Sequence, residues 1–205
     1  MRFLNAVARG YPYVFARPRF QKLNRFLFEC AARGLGILNY ENGTVSGENY
    51  FLKKILTGNT RPVVIDIGAN EGVYAEAVRR FHPNATVFAL EPHPETFKRL
   101  ARRAEQLGFI AVNVGCGRNS EKRILFDYKN SDGTVHASLY EDVITSFHQS
   151  EAAQVQIEIV TVDEFLDQRG IVDVDLLKID TEGNEFDVLL GAEKASNGNR
   201  IRVIH

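Results

Sequence analysis

Three charged residues, Lys178, Asp180 and Glu182, alternate at the end of the run Val174 to Asp180. On a regular strand that spacing puts all three on one side. One cation and two acids grouped where a buried strand meets solvent are costly unless they pair or act on a ligand. The plainer account is a structural ion-pair network. The chemical account is a general-base site, with Asp180 the first candidate proton acceptor, Glu182 the second and Lys178 beside them. The same two acids could instead hold a divalent ion that binds a hydroxyl, and the residue types alone leave that choice open.

A second constellation lies upstream. Val63 to Ile67 is apolar except for Asp66 and reads as a strand buried on both faces. Gly68-Ala69-Asn70-Glu71-Gly72 follows, then a helical run from Val73 to Phe81. Strand, glycine turn and helix form the first half of a nucleotide-binding βαβ unit. Glycine there permits positive φ and close approach of a ligand to the backbone. Asp66 changes the expected ligand, because a carboxylate beside the turn repels a pyrophosphate. It suits a cationic, hydroxyl-rich molecule such as S-adenosylmethionine, which carries an ammonium, a sulfonium and a ribose. The bland alternative is that Asp66 merely bonds the turn backbone.

Thr86 to Leu90 is the second buried strand, and it ends in Glu91-Pro92. Glu91 lies 19 residues beyond Gly72, the place where an acid at the end of the second strand meets ribose hydroxyls. A carboxylate accepts two hydrogen bonds from a cis-diol; the alternative is an exposed strand-end acid. Phe109 to Val114 reads as the third strand, closed by Gly115-Cys116-Gly117. Small residues in this turn let an adenine ring lie against the backbone, which makes Cys116 a pocket wall rather than a nucleophile.

Further elements must position these groups. Helices are expected over Glu48–Leu56, from Pro94 to a stop at Gly108, and over Val162–Leu166, with another after Glu185. Residues 118–162 read as an insertion beside the sheet, with strands at Arg123–Tyr128 and Val155–Val162, a hairpin turn at 130–133 and a short helix within 138–150. His136, in that loop, reads as a solvated residue. Ile201 to His205 looks like a further strand, and stopping within it suggests a chain whose C-terminal hairpin lies beyond the sequence. We expect a domain boundary before Pro62, giving an N-terminal helical extension at 1–59 and a cofactor domain at 60–205.

The 205 residues, 44% hydrophobic and 25% charged, fit one α/β domain with an extension. A net charge of −1 disfavours nucleic acid as a partner. Cys30 and Cys116 have no metal or redox spacing. There is no signal-type apolar segment and no spanning run, so the expected location is the cytoplasm. Residues 1–33 differ in charge from the rest. Arg2, Arg9, Arg17, Arg19, Lys22, Arg25 and Arg33 stand against Glu29 alone, a net +6, interleaved with aromatic residues. This segment reads as helical after Pro18, with Phe20, Leu23, Leu27 and Cys30 at helical spacing. It is either a packing arm with solvated charges or a basic, aromatic surface for an anionic head group or membrane face.

Taken together, Asp66 to Gly72, Glu91-Pro92, Thr161 to Leu166, Asp175 to Glu185 and Leu189-Leu190-Gly191-Ala192 resemble the FkbM family of S-adenosylmethionine-dependent methyltransferases over residues 60–204. The Lys-Ile-Asp-x-Glu-Gly segment makes the likeness specific; the glycine turn alone would not. The resemblance implies a Rossmann-like, mostly parallel class I sheet with helices on both faces and the cofactor across its strand ends. It implies O-methylation of a hydroxyl on a sugar, glycolipid or secondary metabolite. By position, Asp66, Gly68, Asn70 and Gly72 would shape the methionine side and Glu91 would hold the ribose, with Glu71, Pro92, Gly115 and Cys116 also among the cofactor-binding residues. Lys178, Asp180 and Glu182 would face the acceptor, which the basic arm suits if it carries phosphate or carboxylate. An N- or protein-methyltransferase shares the cofactor half. A nicotinamide oxidoreductase accounts for the glycine turn and Glu91 but not for Asp66 or the Lys178 group. A non-catalytic scaffold would show a degraded pocket.

Overall fold

The structure, a computed structural model, describes residues 2–37, 43–128 and 152–205. The turn expected at 130–133, the helix expected within 138–150 and His136 lie outside the described residues. The chain forms two compact units, residues 1–51 and 52–205.

In the first unit, helix α1 (Arg2–Phe15), a 3₁₀ turn (Pro18–Phe20) and helix α2 (Gln21–Gly34) form a hairpin, followed by the short α3 (Gly43–Ser46) and the start of α4 (Glu48–Ile55). The sequence places a helix only after Pro18; α1 precedes it and contains Pro12. The hairpin is held by a few groups: Tyr11 stacks on Phe15 with ring centroids 4.6 Å apart, and Phe15 meets Phe20 edge-on at 5.1 Å. The Tyr11 hydroxyl donates to Asn24 Oδ1 at 2.7 Å, and Asn24 Nδ2 donates to the Phe15 carbonyl at 2.8 Å.

The second unit is built on a four-stranded sheet. Its strands are β1 (Val63–Ile67), β2 (Thr86–Leu90), β3 (Ile110–Val112) and β7 (Leu176–Ile179), in the order β3-β2-β1-β7 and all parallel. Helix α5 (Val73–Phe81) connects β1 to β2, and α6 (Pro94–Leu107) connects β2 to β3. Continuous apolar strands are what a parallel sheet covered by crossover helices requires, and Val64, Ile65, Ile67, Leu90, Leu176 and Leu177 are essentially inaccessible. Leu52 and Leu56, upstream of the expected boundary, are also wholly buried. Ile201–His205 runs beside β7 through isolated parallel bridges, Val174 with Ile201 and Leu177 with Ile204, rather than as a full strand.

The third strand is shorter than the sequence suggests. Gly115–Cys116 forms β4 and leaves the main sheet for a second one, in the order β4-β6-β5, with β5 (Glu121–Tyr128) and β6 (Ala152–Val160) antiparallel. A glycine is needed at the change of sheet, since a Cβ on Gly115 would lie 2.6 Å from Ile159 Cδ1. The half-exposed alternation of Val155, Ile157 and Ile159 is explained by this small sheet: Leu125, Ile157 and Ile159 form its buried cluster. Helix α7 (Val162–Gln168) follows, then β7, α8 (Glu185–Leu190) and α9 (Glu193–Asn197). The buried Asp163 carboxylate accepts from the backbone amides of Lys194 and Ala195 at 3.0 and 2.8 Å, filling the orphan donors at the start of α9.

Candidate active site

The carboxyl ends of β1, β2 and β7 and the inner face of the small sheet enclose a cleft of about 170 Å³. Its wall includes Gly68, Asn70, Glu91, Pro92, Gly115, Cys116, Asp180 and Glu182. These eight expected site residues are therefore brought together. Asp66, Glu71, Gly72 and Lys178 are not on the wall.

Asp66 is wholly buried beneath it. Strands β1 and β7 are neighbours with Asp66 opposite Lys178, so the carboxylate meets Lys178 Nζ at 3.2 Å. The same ammonium reaches Asp180 Oδ2, also at 3.2 Å, and sits 5.0 Å from the centre of the Tyr74 ring. Burial presses Lys178 toward its neutral form, but Asp66 and Asp180 outweigh it and hold its pKa above the ordinary lysine value. The Tyr74 hydroxyl lies 3.0 Å from His205 Nδ1. The expected alternation holds for Lys178 and Asp180 and then ends. Strand β7 stops at Ile179, and Glu182 has φ +52°, so the loop rather than a strand carries it to the cleft.

The glycine turn takes the positive φ expected of it, at Gly68 and at Gly72. Gly68, at φ +75°, would place a Cβ 1.9 Å from the carbonyl oxygen of Asp180. Protein backbone, arriving from the loop after β7, makes the close approach. Gly72, at φ +83°, precedes α5 and faces the side chains of Leu100 and Phe109. Glu71 points outward and pairs with Arg99 at 2.9 Å.

Glu91, on the cleft wall, is held by backbone amides. Its Oε2 accepts from the amide of Asn70 at 3.0 Å and its Oε1 from the amide of His93 at 2.9 Å. Burial pushes its carboxyl up to about 6, against those two hydrogen bonds, with nearby Asp66 adding to the rise and Arg99 opposing it. Each oxygen keeps a lone pair for a further donor. Cys116 is buried, and burial alone pushes its thiol up to about 12, the behaviour of a wall rather than a nucleophile.

Several wall and support residues were not singled out from the sequence. His93 caps α6, its Nδ1 accepting from the amides of Glu95 and Thr96 at 3.3 and 3.5 Å; its place just before Pro94 was the available signal. Glu185 folds back over the loop that carries Asp180 and Glu182, accepting from the Thr181 amide, the Thr181 hydroxyl and the Gly183 amide at 3.0, 3.2 and 3.0 Å. Partial burial acts to raise its pKa, but the bonds from Gly183 and Thr181 prevail and hold it below the ordinary carboxylate range. Asn184 Nδ2 donates to the Cys116 carbonyl at 2.9 Å and ties the loop to the change of sheet. Leu125, Ile157 and Ile159 supply an apolar wall that no local motif announces.

The cleft thus combines acids, backbone groups and an apolar wall, with no cation of its own on that wall among the described residues. That donor set fits a ligand with hydroxyls, positive charge and a flat apolar ring, and it opposes phosphates. S-adenosylmethionine has those properties. No group of three or more His, Cys, Asp or Glu side chains among the described residues is placed to hold a metal ion.

Residues 66–205 match the family description "Methyltransferase FkbM domain". The chain belongs to the FkbM methyltransferase family. It is 31% identical over 144 residues to Methyltransferase 1 of Beauveria bassiana, a match covering 63% of this chain and 58% of that protein. It is 26% identical over 147 residues to 2-O-methyltransferase NoeI of Sinorhizobium fredii, covering 68% and 60%. It is 26% identical over 134 residues to the hexuronic acid methyltransferase AglP of Haloferax volcanii, covering 65% and 51%. The chain therefore spans about three-fifths or less of the length of these relatives. Among the described residues no helix is long and apolar enough to cross a membrane.

Proposed function

We propose that this chain is an S-adenosylmethionine-dependent O-methyltransferase acting on a hydroxyl of a sugar, glycolipid or secondary metabolite. The observation that carries the reading is Glu91, an acid held by two backbone amides at the end of β2 in a cleft lined by acids and apolar groups. Family membership and relatives named for 2-O-methylation and for a hexuronic acid support the reaction and the acceptor class.

In this reading Glu91 accepts hydrogen bonds from the ribose diol, and Gly115, Cys116, Ile157 and Ile159 flank the adenine. Gly68 and Asn70 bound the methionine side. Asp66 acts from below by holding Lys178, which in turn holds Asp180 at the cleft mouth. The bound cofactor supplies an electrophilic methyl on a sulfonium; the protein supplies alignment and a proton acceptor. Asp180 takes the proton of the acceptor hydroxyl as its oxygen becomes methylated, with Glu182 beside it to orient the acceptor. Its partner Lys178, 3.2 Å from Asp180 Oδ2, fixes where that carboxylate stands at the cleft mouth.

Labelled S-adenosylmethionine incubated with a panel of sugars, uronic acids, glycolipids and peptides tests the proposal. Transfer to a hydroxyl of a sugar or lipid acceptor is expected, and Asp180→Asn is expected to lose turnover while keeping cofactor affinity. Transfer to peptides alone would instead establish a protein methyltransferase. Calorimetric binding of NAD but not of S-adenosylmethionine would overturn the reading altogether.

A further inference from the structure

The N-terminal hairpin spends one set of aromatic residues on itself and presents another to solvent. Tyr11, Phe15, Phe20 and Asn24 make its internal contacts. Outside them, Tyr13, Phe26 and Phe28 are 83%, 60% and 69% exposed, and Leu23 and Leu27 are exposed as well. On α2, Leu23, Phe26, Leu27 and Cys30 recur at i, i+3, i+4 and i+7, a single apolar stripe along one side of the helix. Ala32 is the one buried residue of that helix.

The charges of the hairpin point to a partner outside it. The start of a helix carries partial positive charge and favours acids. Yet α2 has no acid in its first turn, and Arg17, Arg19 and Lys22 crowd that end, Arg19 lying over the Phe20 ring, while Arg25 pairs along the helix with Glu29 at 3.4 Å. The cations therefore act against the helix that bears them. Such an arrangement is rewarded by an external anionic surface, and the net +6 of residues 1–33 has the matching sign. A second copy of the hairpin would bring the same +6 and repel it. A free phosphate would leave the exposed apolar stripe in water.

We propose that this hairpin lies on anionic lipid surfaces, with Leu23, Phe26 and Leu27 dipping among the acyl chains and Arg17, Arg19 and Lys22 against the head groups. The proposal is independent of the methyl-transfer reading.

The sequence contains no tryptophan, so Phe26→Trp in the full chain is a unique fluorescent reporter. It is titrated with vesicles of phosphatidylcholine alone and of phosphatidylcholine with 30 mol% phosphatidylglycerol (our choice of probe, roughly the anionic share that gives a strong surface potential). Expected are a blue shift with the anionic vesicles only and its reversal at about 0.5 M NaCl, where screening is nearly complete. Arg17→Gln, Arg19→Gln and Lys22→Gln combined are expected to weaken partitioning on the order of 100-fold, from about fivefold per charge. These positions are exposed, so the far-ultraviolet dichroism stays unchanged. No shift with either vesicle overturns the proposal. So does an equal shift with both, or an emission already blue-shifted before vesicles are added, which would mean that protein covers the stripe.

Discussion

Removing the Lys178 ammonium should destabilise this protein far more than removing the acid it meets. Asp66 is wholly buried, whereas the Lys178 side chain keeps 12% of its surface and has a second partner in Asp180, itself 65% exposed. Lys178→Met leaves a buried carboxylate without its cation. Breaking a buried pair in this way costs about 3–5 kcal/mol. An upper limit comes from proton uptake: carrying a neutral Asp at pH 7, about three units above its ordinary pKa, costs about 4 kcal/mol. The expected loss at pH 7 is therefore about 3–4 kcal/mol. Asp66→Asn leaves Lys178 with Asp180 and the Tyr74 ring, and should cost about 1–2 kcal/mol. The double variant buries no lone charge and should be more stable than Lys178→Met alone. Urea unfolding followed by circular dichroism, with the slope unchanged, gives the three values. The deficit of Lys178→Met should also shrink as pH falls toward 4, because the unfolded Asp then takes up the same proton. If Lys178→Met loses less than about 1 kcal/mol, or the double variant is the least stable of the three, the buried-pair argument is refuted.

Other consequences are equally direct. Burial pushes the Glu91 carboxyl up to about 6, and the proposed diol contact needs it ionised, so S-adenosylmethionine affinity should be flat above pH 7 and fall about tenfold per unit below pH 6; calorimetry across pH 5–8 checks this, and Glu91→Gln should abolish the dependence. Gly68→Ala meets both the Asp180 carbonyl and a positive φ, and should destabilise by more than about 2 kcal/mol or fail to fold, read by thermal melting. Glu185→Gln weakens the bonds that fix the 180–183 loop. The lowered pKa of Glu185 means its contribution is present above the ordinary pKa of 4.5 and lost as pH falls through the depressed value, so the wild-type advantage should vanish in acid melts.

Much of the candidate site was legible in the sequence because its signals are local. A glycine turn after a buried strand, an acid at the end of the next strand, and Lys178, Asp180 and Glu182 near the end of another are short patterns set by backbone period and turn chemistry. They led to an α/β fold with a mostly parallel sheet and to Gly68, Asn70, Glu91, Gly115, Cys116, Asp180 and Glu182 around one cleft. What local pattern could not supply was which strands are neighbours. Placing β7 beside β1 in the register Asp66 to Lys178 buries that acid under the cleft instead of on its wall. The same placement brings the Asp180 carbonyl against Gly68, so the chain itself forbids a side chain there. The apolar wall of Leu125, Ile157 and Ile159 comes from a second sheet whose strands pair across a long stretch of chain. Such pairings depend on burial summed over the whole core, and no window of sequence contains that sum.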